Sequence, residues 1–308
     1  TDMFMITGGA AMHLNDAFGH QEGLKITYNH HEQACTIAAE GYTRQTGKIA
    51  PVCVTGGPGG TNAITGVFGA YVDSIPMFVV TGQAKRETTV WSTNLPLRQL
   101  GDQEVNITSA VSTMTKYAKM ITDPMSIRKE VEKAWFLMLN GRPGPVWLDI
   151  PGDVASTFIE TDDLEGFDKQ GYIDEHWASF NQDNPVYDEQ YTKDVLAKIK
   201  EAKRPVILAG TAIRHAGQQS EFIKCIDKLG IPVVTAWDAH DIIWDEHPLY
   251  CGRPGTVGTR AGNFIVQNAD LLIVLGCRMN IRMIGYNFGD FGKNAYKIVV
   301  DIDDAELN

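Results

Sequence analysis

Short apolar runs alternate with segments of helical spacing along the first half of the chain. Helical spacing predicts helices, and apolar runs bounded by turn residues predict strands. The predicted strands are residues 3–6, 25–28, 51–55, 77–81 and 145–150, and the predicted helices are residues 31–46, 61–72 and 124–140. Runs such as VCV and FVV are apolar at every position, which is typical of strands covered on both faces. The pattern therefore predicts a parallel sheet with helices on both sides.

The second half repeats this alternation after an interruption. Residues 153–191 are rich in Asp, Glu, Asn, Gln and Gly and lack periodic apolar positions, which favours a linker. Beyond it, strands are predicted at 206–209, 232–236, 271–275 and 297–302, and helices at 220–229 and 259–267. The fold class is thus predicted as α/β, with two doubly wound parallel-sheet (Rossmann-like) domains. Their predicted bounds are 1–155 and 191–308, with a linker at 156–190.

Composition narrows the classes of partner and the compartment. A net charge of −11 with both signs mixed along the chain disfavours nucleic acid and anionic membranes. No apolar run approaches the roughly 18 residues that span a bilayer, and no signal peptide is visible. The five cysteines form no CxxC pair, so we expect free thiols in a reducing cytoplasm. The chain begins at Thr1 in an apolar stretch and ends after a strand-like run, so we expect it to be part of a longer protein.

Glu32 lies at the start of the helix predicted for residues 31–46. A carboxylate in the first turn of a helix is stabilised by the helix dipole. Electrostatics at the helix start is therefore one explanation of its position. A catalytic carboxylate is the other, and the position of Glu32 alone is compatible with both.

A glycine-rich turn, GGPGGTN, follows the third predicted strand and covers residues 56–62. It is not a Walker loop, because no Gly-Lys-Ser/Thr follows, and Asn62 stands where G-x-G-x-x-G requires its last glycine. Its glycines allow the backbone to approach another group closely, and Thr61 is predicted to cap the next helix. A generic strand-to-helix turn is the alternative.

These two features together resemble the pyrimidine-binding part of thiamine diphosphate (ThDP) enzymes, in particular the acetolactate synthase (acetohydroxyacid synthase) family. The resemblance covers essentially the whole chain and is strongest over residues 28–150. It implies that Glu32 hydrogen-bonds a ring nitrogen of the aminopyrimidine and drives that ring to its imino tautomer, which then deprotonates the thiazolium carbon. The cofactor contacts that it implies come from Glu32, Gly57, Pro58, Gly59, Asn62 and Gln83.

The same resemblance implies a substrate site around the string Asp102-Gln103-Glu104, which stands where acetolactate synthases have Phe-Gln-Glu. Gln103 matches the glutamine beside the reacting carbon and joins Glu32 as a predicted catalytic residue. Asp102 replaces an aromatic residue that shapes the acceptor site, so the identity of the acceptor stays open. The predicted substrate pocket consists of Gly9, Ala10, Asp102 and Lys116. The alternative for Gln103 is a surface loop residue, and for Lys116 a solvated charge.

In the second half, two glycines follow predicted strands at Gly210-Thr211 and Gly276-Cys277-Arg278. This part resembles the middle domain of the same family, and ligands of parallel sheets lie beyond the carboxyl ends of the strands. The predicted nucleotide contacts are Arg142, Gly210, Thr211 and Arg278. FAD, ADP and no nucleotide remain three alternatives, because residues 210–212 and 279–282 differ from the strings typical of the flavin type.

The resemblance also implies a reaction and an assembly. We expect the N-terminal part of a ThDP-dependent transferase of branched-chain amino acid biosynthesis, which decarboxylates pyruvate and passes the hydroxyethyl unit to a 2-keto acid. Family members bind Mg²⁺ and diphosphate through a Gly-Asp-Gly string that this sequence lacks. We therefore expect no metal ligand here, a C-terminal diphosphate-binding domain elsewhere, and an inactive fragment.

Family membership further implies a homodimer or tetramer with ThDP sites between subunits, and a regulatory subunit as a candidate partner. Two alternatives stay open for the function itself. The first is a related ThDP-dependent decarboxylase or carboligase with a different acceptor. The second is a non-catalytic nucleotide-binding α/β module.

Overall fold

The computed structural model describes residues 1–176 and 188–307. The chain forms two compact units, one up to residue 180 and one from residue 181. The described residues contain a six-stranded and a four-stranded sheet, and every strand pair in both is parallel. The predicted α/β fold with two parallel sheets is therefore confirmed. The exact domain bounds stay a prediction.

The first unit is built on the six-stranded sheet, in the order β2-β1-β3-β4-β6-β5. Its strands are β1 (Asp2–Met5), β2 (Lys25–Tyr28), β3 (Val52–Val54), β4 (Met77–Gln83), β5 (Tyr117–Met120) and β6 (Pro145–Pro151). Its helices are α1 (Met12–His20), α2 (Glu32–Thr46), α3 (Pro58–Val72), α4 (Ile107–Val111), α5 (Ile127–Leu139), α6 (Gly152–Ala155) and α7 (Lys169–Glu175). Short 3₁₀ turns follow β4 at Arg86–Thr88 and Val90–Ser92.

The centre of this sheet is buried on both faces, as its unbroken apolar runs predict. Every residue of β3, β4 and β6 is buried. Val79 of β4 lies in register with Val52 on one side and Trp147 on the other, and it belongs to the cluster that α2 and α3 cover. The next residue, Val80, belongs to the cluster on the α5 side. Alternate residues of one strand thus fill two separate cores.

Helices α2 and α3 lie side by side and begin next to each other. Helix α2 starts at Glu32 after His31, whose ring accepts a hydrogen bond from the Gln33 N–H at 3.1 Å. Between the two helices, the Thr36 hydroxyl donates to the Ala63 carbonyl at 3.2 Å. A Cβ on Gly66 of α3 would lie 2.2 Å from this hydroxyl oxygen, so the contact requires glycine. The small residues of α3 therefore allow a close helix pair, which brings the two N-termini together.

Helix α3 begins earlier than the sequence predicts. It starts at Pro58, a residue suited to the first helical position because it has no N–H to satisfy. The prediction that Thr61 caps the helix is wrong, since Thr61 lies inside its first turn and donates to the Pro58 carbonyl at 3.1 Å. The sequence pattern also missed α1 and β5. Strand β5 is an edge strand carrying Tyr117 and Lys119, so it lacks the apolar run that marks the buried strands.

Part of the predicted linker packs on the first unit. Phe167 and Tyr172 both contact the ring of Phe136 on α5, with ring centroids 5.7 and 6.2 Å away. The Phe167 N–H also donates to a Glu132 carboxylate oxygen at 2.7 Å. Residues 177–187 of the predicted linker lie outside the described residues. The linker as a whole stays a prediction.

The second unit is built on the four-stranded sheet, in the order β10-β9-β7-β8. Its strands are β7 (Pro205–Ala209), β8 (Val233–Thr235), β9 (Leu271–Leu275) and β10 (Tyr296–Val300). Its described helices are α8 (Glu189–Glu201), α9 (Ala212–His215), α10 (Gln219–Leu229), α11 (Arg260–Asn268), α12 (Ile281–Ile284) and α13 (Asp304–Leu307). The core centres on Leu208, Val234 and Val274, which are fully buried.

In residues 1–176 and 188–307, no helix combines the length and the apolar character needed to cross a bilayer.

Candidate active site

Three turns meet at the carboxyl edge of the first sheet, where ligands of parallel sheets bind. They are residues 8–10 after β1, residues 56–57 after β3 and the end of β4 at Gly82. A Cβ atom placed on Gly82 would lie 2.1 Å from the Ala10 carbonyl oxygen, so only glycine permits this contact. Gly9 has no atom within 4 Å of a Cβ at its position and faces open space. The structure therefore brings the predicted residues Gly9 and Ala10 to this edge.

Glu32 lies between the starts of α2 and α3. Its side chain is half-buried, and the Asn62 amide donates to its Oε2 atom at 3.0 Å. The Oε1 atom lies 3.4 Å from the point that a Cβ on Gly59 would occupy. The structure thus joins three residues that the sequence places in one cofactor site. In this arrangement the Asn62 amide binds Oε2 of Glu32, and Oε1 lies beside Gly59, which has no side chain.

Gln103 is brought to the same place by close backbone packing at Gly57. Gly57 has φ +61°, and a Cβ on it would lie 2.1 Å from the Gln103 carbonyl oxygen. Gln103 itself has φ 56°, in the left-handed region that few residues other than glycine adopt. Pro58 follows directly as the first residue of α3, and Asp102 is exposed beside Gln103. The glycine therefore permits a predicted catalytic residue to approach the start of the helix.

Gln83 lies inside the first unit rather than on its surface, with 4% of its area exposed. Its Nε2 group donates to Asp149 Oδ2 at 2.9 Å and to the Val105 carbonyl at 2.8 Å. Its Oε1 atom accepts the Ala84 N–H at 3.0 Å. The side-chain amide is therefore used within the chain, and a contact with a cofactor stays a prediction.

Asp149 is a buried carboxylate that the sequence analysis missed. It is 1% exposed and accepts hydrogen bonds from the Thr81 hydroxyl at 2.7 Å and from Gln83. Burial raises the pKa of Asp149 to about 7, and the two hydrogen bonds lower it only part of the way back. An aspartate within the otherwise apolar string PVWLDIP was the available signal. Asp149 lines a cavity of about 580 Å³ whose walls also include residues of the segment 89–109.

Lys116 and Arg142 lie at the opposite edge of the same sheet. Both precede strands, Lys116 before β5 and Arg142 before β6, whereas the turns described above follow strands. The Lys116 ammonium donates to the Asn140 carbonyl, and the Arg142 Nε donates to the Ser74 hydroxyl at 2.8 Å. The structure therefore does not bring these two residues to Glu32 and Gln103.

In the second unit, the turns after β7 and β9 lie against each other. The Gly210 N–H donates to the Leu275 carbonyl at 2.9 Å, and the Ala212 N–H donates to the Gly276 carbonyl at 3.3 Å. Thr211 is half-buried and Arg278 is exposed. The predicted residues Gly210, Thr211 and Arg278 thus all belong to the carboxyl edge of the second sheet.

A small basic cavity of about 180 Å³ in the same unit includes residues that the sequence analysis did not assign to a site. Its walls include the guanidinium-bearing residues Arg253 and Arg282, the amide Asn280 and the indole of Trp237. Paired guanidinium groups are suited to bind phosphate. Sequence spacing gave no signal for Arg253, because its position depends on the loop that follows β8.

Across the described ranges 1–176 and 188–307, no group of three or more His, Cys, Asp or Glu side chains could hold a metal ion. The five cysteines are all free.

Two family models match the chain. Residues 1–110 match "Thiamine pyrophosphate enzyme, N-terminal TPP binding domain", and residues 192–308 match "Thiamine pyrophosphate enzyme, central domain". The chain is 34% identical over 305 residues to the acetolactate synthase large subunit of Lactococcus lactis, covering 99% of this chain and 50% of that protein. It is 33% identical to the acetolactate synthase isozyme 1 large subunit of Escherichia coli, covering 98% of this chain and 50% of the relative. The chain therefore spans about half the length of the curated relatives it matches.

Proposed function

Because the chain belongs to the thiamine pyrophosphate enzyme family, with its N-terminal and central domains, we propose that it is part of an acetolactate synthase-like carboligase. In this proposal the whole enzyme is a transferase that decarboxylates pyruvate and passes the two-carbon unit to a 2-keto acid. The observation that carries the proposal is the position of Glu32 beside Asn62 and Gly59 at the start of α3. The names of the relatives support the same reaction.

Glu32 is the residue that handles a proton in this proposal. When bound, thiamine diphosphate supplies the carbon that attacks the keto group and accepts its electrons as CO₂ leaves. The Glu32 carboxylate binds the aminopyrimidine and exchanges a proton with its ring nitrogen. Asn62 holds the Oε2 atom at 3.0 Å and so fixes the direction of the carboxylate. Gly59 is buried, and a Cβ there would lie 2.7 Å from Thr55 Cγ2, so the glycine permits the close packing that brings the start of α3 to Glu32.

Gln103 and Asp102 are the residues that meet the substrate. The backbone of Gln103 packs against Gly57 and the residue is exposed, so in this proposal its side-chain amide binds the substrate oxygen. Asp102 is an exposed carboxylate beside it. This charge favours a second candidate, a carboligase whose acceptor carries hydrogen-bond donors. Gly9 and Ala10 line the same edge, and the roles of Lys116 and Gln83 remain part of the prediction.

The test of the proposed function is an assay of the full-length protein with ¹³C-labelled pyruvate, thiamine diphosphate and Mg²⁺. We expect labelled CO₂ and acetolactate, identified by NMR. Another ligation product would support the second candidate. Absence of cofactor-dependent CO₂ release from pyruvate and from other 2-keto acids would refute both. In this proposal Mg²⁺ and the diphosphate are bound by a C-terminal domain, so residues 1–308 alone are expected to be inactive.

We also propose that the first unit pairs with a second copy through α2 and α3. Two large apolar side chains on these helices are about half exposed, Ile37 at 49% and Phe68 at 52%. Tyr71 of α3 is exposed as well, and apolar side chains that together form a contiguous exposed patch mark an interaction surface. A homodimer or tetramer would place them beside Glu32 of each copy. A regulatory subunit and a cytoplasmic location complete the proposal, which the "large subunit" in the names of the relatives and the free cysteines support.

Phe68→Asp is expected to separate the copies. A buried charge at the centre of an interface weakens association strongly, so the dimer dissociation constant should rise about 100-fold. Analytical ultracentrifugation of the full-length protein measures this change. Val131→Asp is the matched control, since Val131 is an exposed apolar residue of α5. An unchanged association of Phe68→Asp would argue against the interface.

For the second unit, we propose a nucleotide diphosphate as ligand, bound by Gly210 and Thr211 with Arg278. The basic cavity in the same unit is lined by Arg253 and Arg282 and not by these three residues, and in this proposal it holds a phosphate group of the ligand. Its volume of about 180 Å³ is below the roughly 300–1,000 Å³ of most small-molecule sites, so it fits a phosphate group rather than a flavin ring. If FAD is the ligand, this proposal places only its diphosphate, and not its flavin ring, in the basic cavity.

Arg282→Ala is expected to weaken the binding of ADP at least about tenfold, because a charge-assisted bond to phosphate contributes about 1.5–3 kcal/mol. Calorimetric titration with ADP and with FAD measures the affinity. Lys293→Ala is the control, since Lys293 is a surface charge that pairs with Asp290. Equal affinities of wild type and Arg282→Ala would remove the cavity from the proposal.

A further inference from the structure

The hydrogen-bond partners of Asp149 are Thr81 and Gln83, and the bond to Gln83 connects Asp149 to the segment that carries Gln103. The carboxylate accepts a bond from Gln83, and Gln83 donates a second bond to the carbonyl of Val105. Val105 lies two residues after Gln103, in the segment whose backbone packs on Gly57. Two hydrogen bonds of Gln83 therefore connect three elements: strand β6, the end of β4, and the segment that carries Gln103.

The donor and acceptor of each hydrogen bond in this network are determined by backbone and indole groups that can act in only one way. The Ala84 N–H can only donate, so it sets the Gln83 oxygen, and the Val105 carbonyl can only accept, so it sets the Gln83 nitrogen. On the other branch, the Trp147 indole N–H donates to the Thr81 hydroxyl oxygen at 2.9 Å. Thr81 must then donate its own hydrogen to Asp149 at 2.7 Å. Both carboxylate oxygens of Asp149 therefore have to accept.

A protonated Asp149 cannot satisfy this arrangement. A proton on Oδ2 that pointed at Gln83 would face its N–H, and turning the amide would bring its nitrogen against the Ala84 N–H and away from Val105. A proton on Oδ2 that pointed away from Gln83 would find no acceptor within this network. A proton on Oδ1 would leave either the Trp147 N–H or the Thr81 hydroxyl without its bond. The complete network thus requires the carboxylate, although burial favours the neutral acid.

We propose that Asp149 is a positioning residue, which holds Gln103 at the Gly57 turn through the Gln83 side chain and the backbone of Val105. The inference rests on the proposed function only for the catalytic role of Gln103. The link itself is a property of this chain.

The charged residues near Asp149 have other partners or are exposed, so they do not take its place as the group bound to Gln83. Glu104 and Arg98 line the same cavity, but the Glu104 carboxylate accepts the N–H groups of Val90, Leu100 and Gly101, and Arg98 is exposed. The Arg86 guanidinium, which follows β4, pairs with Asp153 of α6 at 2.6 Å. Among the described residues, no cation pairs with Asp149. Only Thr81 and Gln83 stabilise its charge.

The pH dependence has a defined sign. Because the pKa of Asp149 is raised to about 7 in the folded protein, the native state keeps a proton that the unfolded chain releases near its ordinary value of 3.8. This group therefore contributes stability at low pH that is lost as the pH rises to about 7. The Gln83–Val105 link behaves in the opposite way, because it is complete only when the carboxylate is ionised. Activity should fall as the pH drops through about 7, while this contribution to stability grows.

Asp149→Asn tests the proposal, since it keeps the shape and removes the charge. Hydrogen–deuterium exchange at pH 8, followed by mass spectrometry, should show about fivefold faster exchange in a peptide covering residues 101–106. Amides of this segment report directly, since the Glu104 N–H donates to Gly101 at 3.2 Å. Thr81→Val is the matched control, because it also removes one bond to Asp149 but leaves the bond to Gln83. We expect it to leave exchange of this peptide unchanged.

Kinetics of the full-length enzyme provide the second readout. Asp149→Asn should lower kcat about tenfold at pH 8 with KM within about twofold, because misplacement of a catalytic group affects the reaction more than binding. Its kcat should also lose the dependence on pH near 7. Unchanged exchange in the 101–106 peptide would overturn the proposal, and so would faster exchange with an unchanged kcat. If the protein shows no activity on any 2-keto acid, the proposed function fails, while the exchange comparison still decides the link.

Gln83→Met is the second variant if Asp149→Asn does not fold. It removes the bond to Val105 and leaves Asp149 bound to Thr81. The same faster exchange of the 101–106 peptide is expected. Exchange as slow as in the wild type would show that Gln83 does not hold this segment.

Discussion

Glu32→Gln is expected to lower kcat of the full-length enzyme at least about 100-fold, with little change in the fold. General acid–base groups typically contribute about 10²- to 10⁴-fold. The amide keeps the length of the side chain and can still accept a bond from Asn62, which donates to Oε2 in the wild type at 3.0 Å. It cannot exchange a proton with the pyrimidine ring. The defect should therefore lie in the proton transfer and not in the binding of the cofactor.

Exchange of the thiazolium C2 proton with deuterium, followed by NMR, measures the step that Glu32 controls. We expect this exchange to slow in parallel with kcat. Glu40→Gln is the matched control on the same helix, because Glu40 pairs with Arg44 at 2.7 Å and takes no part in the proposed site. Near-wild-type C2 exchange in Glu32→Gln would remove Glu32 from its proposed role. A modest loss would place control of the tautomer elsewhere.

The sequence predicted the sheets well because buried parallel strands leave a strong local signal. Strands β3, β4 and β6 each contain an unbroken apolar run, VCV, MFVV and PVWL respectively, and are buried throughout. Edge strand β5 gave no such signal, because Tyr117 and Lys119 there pair with Glu130 on α5. That pairing depends on the packing of a helix whose Glu130 lies 11 and 13 positions further along the chain, so it cannot be read from the strand alone.

In the candidate site, too, features that are local in sequence could be predicted, and features that depend on distant residues could not. Glu32 at a helix start and the glycines of the turn are local features, and the structure brings both together. Resemblance of strings assigned Lys116 to the substrate pocket and Arg142 to a nucleotide. Both residues precede their strands and lie at the other edge of the sheet, so these two roles stay predictions. Asp149 was missed for the converse reason. Its importance depends on Gln83 and Thr81, which are 66 and 68 positions away along the chain.

Gly57→Ala is expected to damage both stability and activity, because this position combines two restrictions. Gly57 has φ +61°, which L-residues rarely adopt, and such backbone strain costs about 1–3 kcal/mol. A methyl group there would also lie 2.1 Å from the Gln103 carbonyl oxygen and 2.9 Å from the Gln103 Cβ. Backbone has to move to relieve this contact. The segment that carries Gln103 is the one that yields, because it is exposed whereas Gly57 is fixed to α3.

Two measurements separate these effects. Thermal unfolding should show a lower Tm for Gly57→Ala, and kcat of the folded full-length variant should fall about 100-fold, since a displacement of about 1 Å at a reacting group can have this effect. Gly19→Ala is the matched control on α1, because Gly19 is exposed and a Cβ there meets no atom within 4 Å. Alanine inside a helix is favoured over glycine by up to about 1 kcal/mol, so this variant should be more stable. A folded Gly57→Ala enzyme with wild-type kcat would show that Gln103 does not need its place at the turn, and would separate it from the chemistry assigned to Glu32.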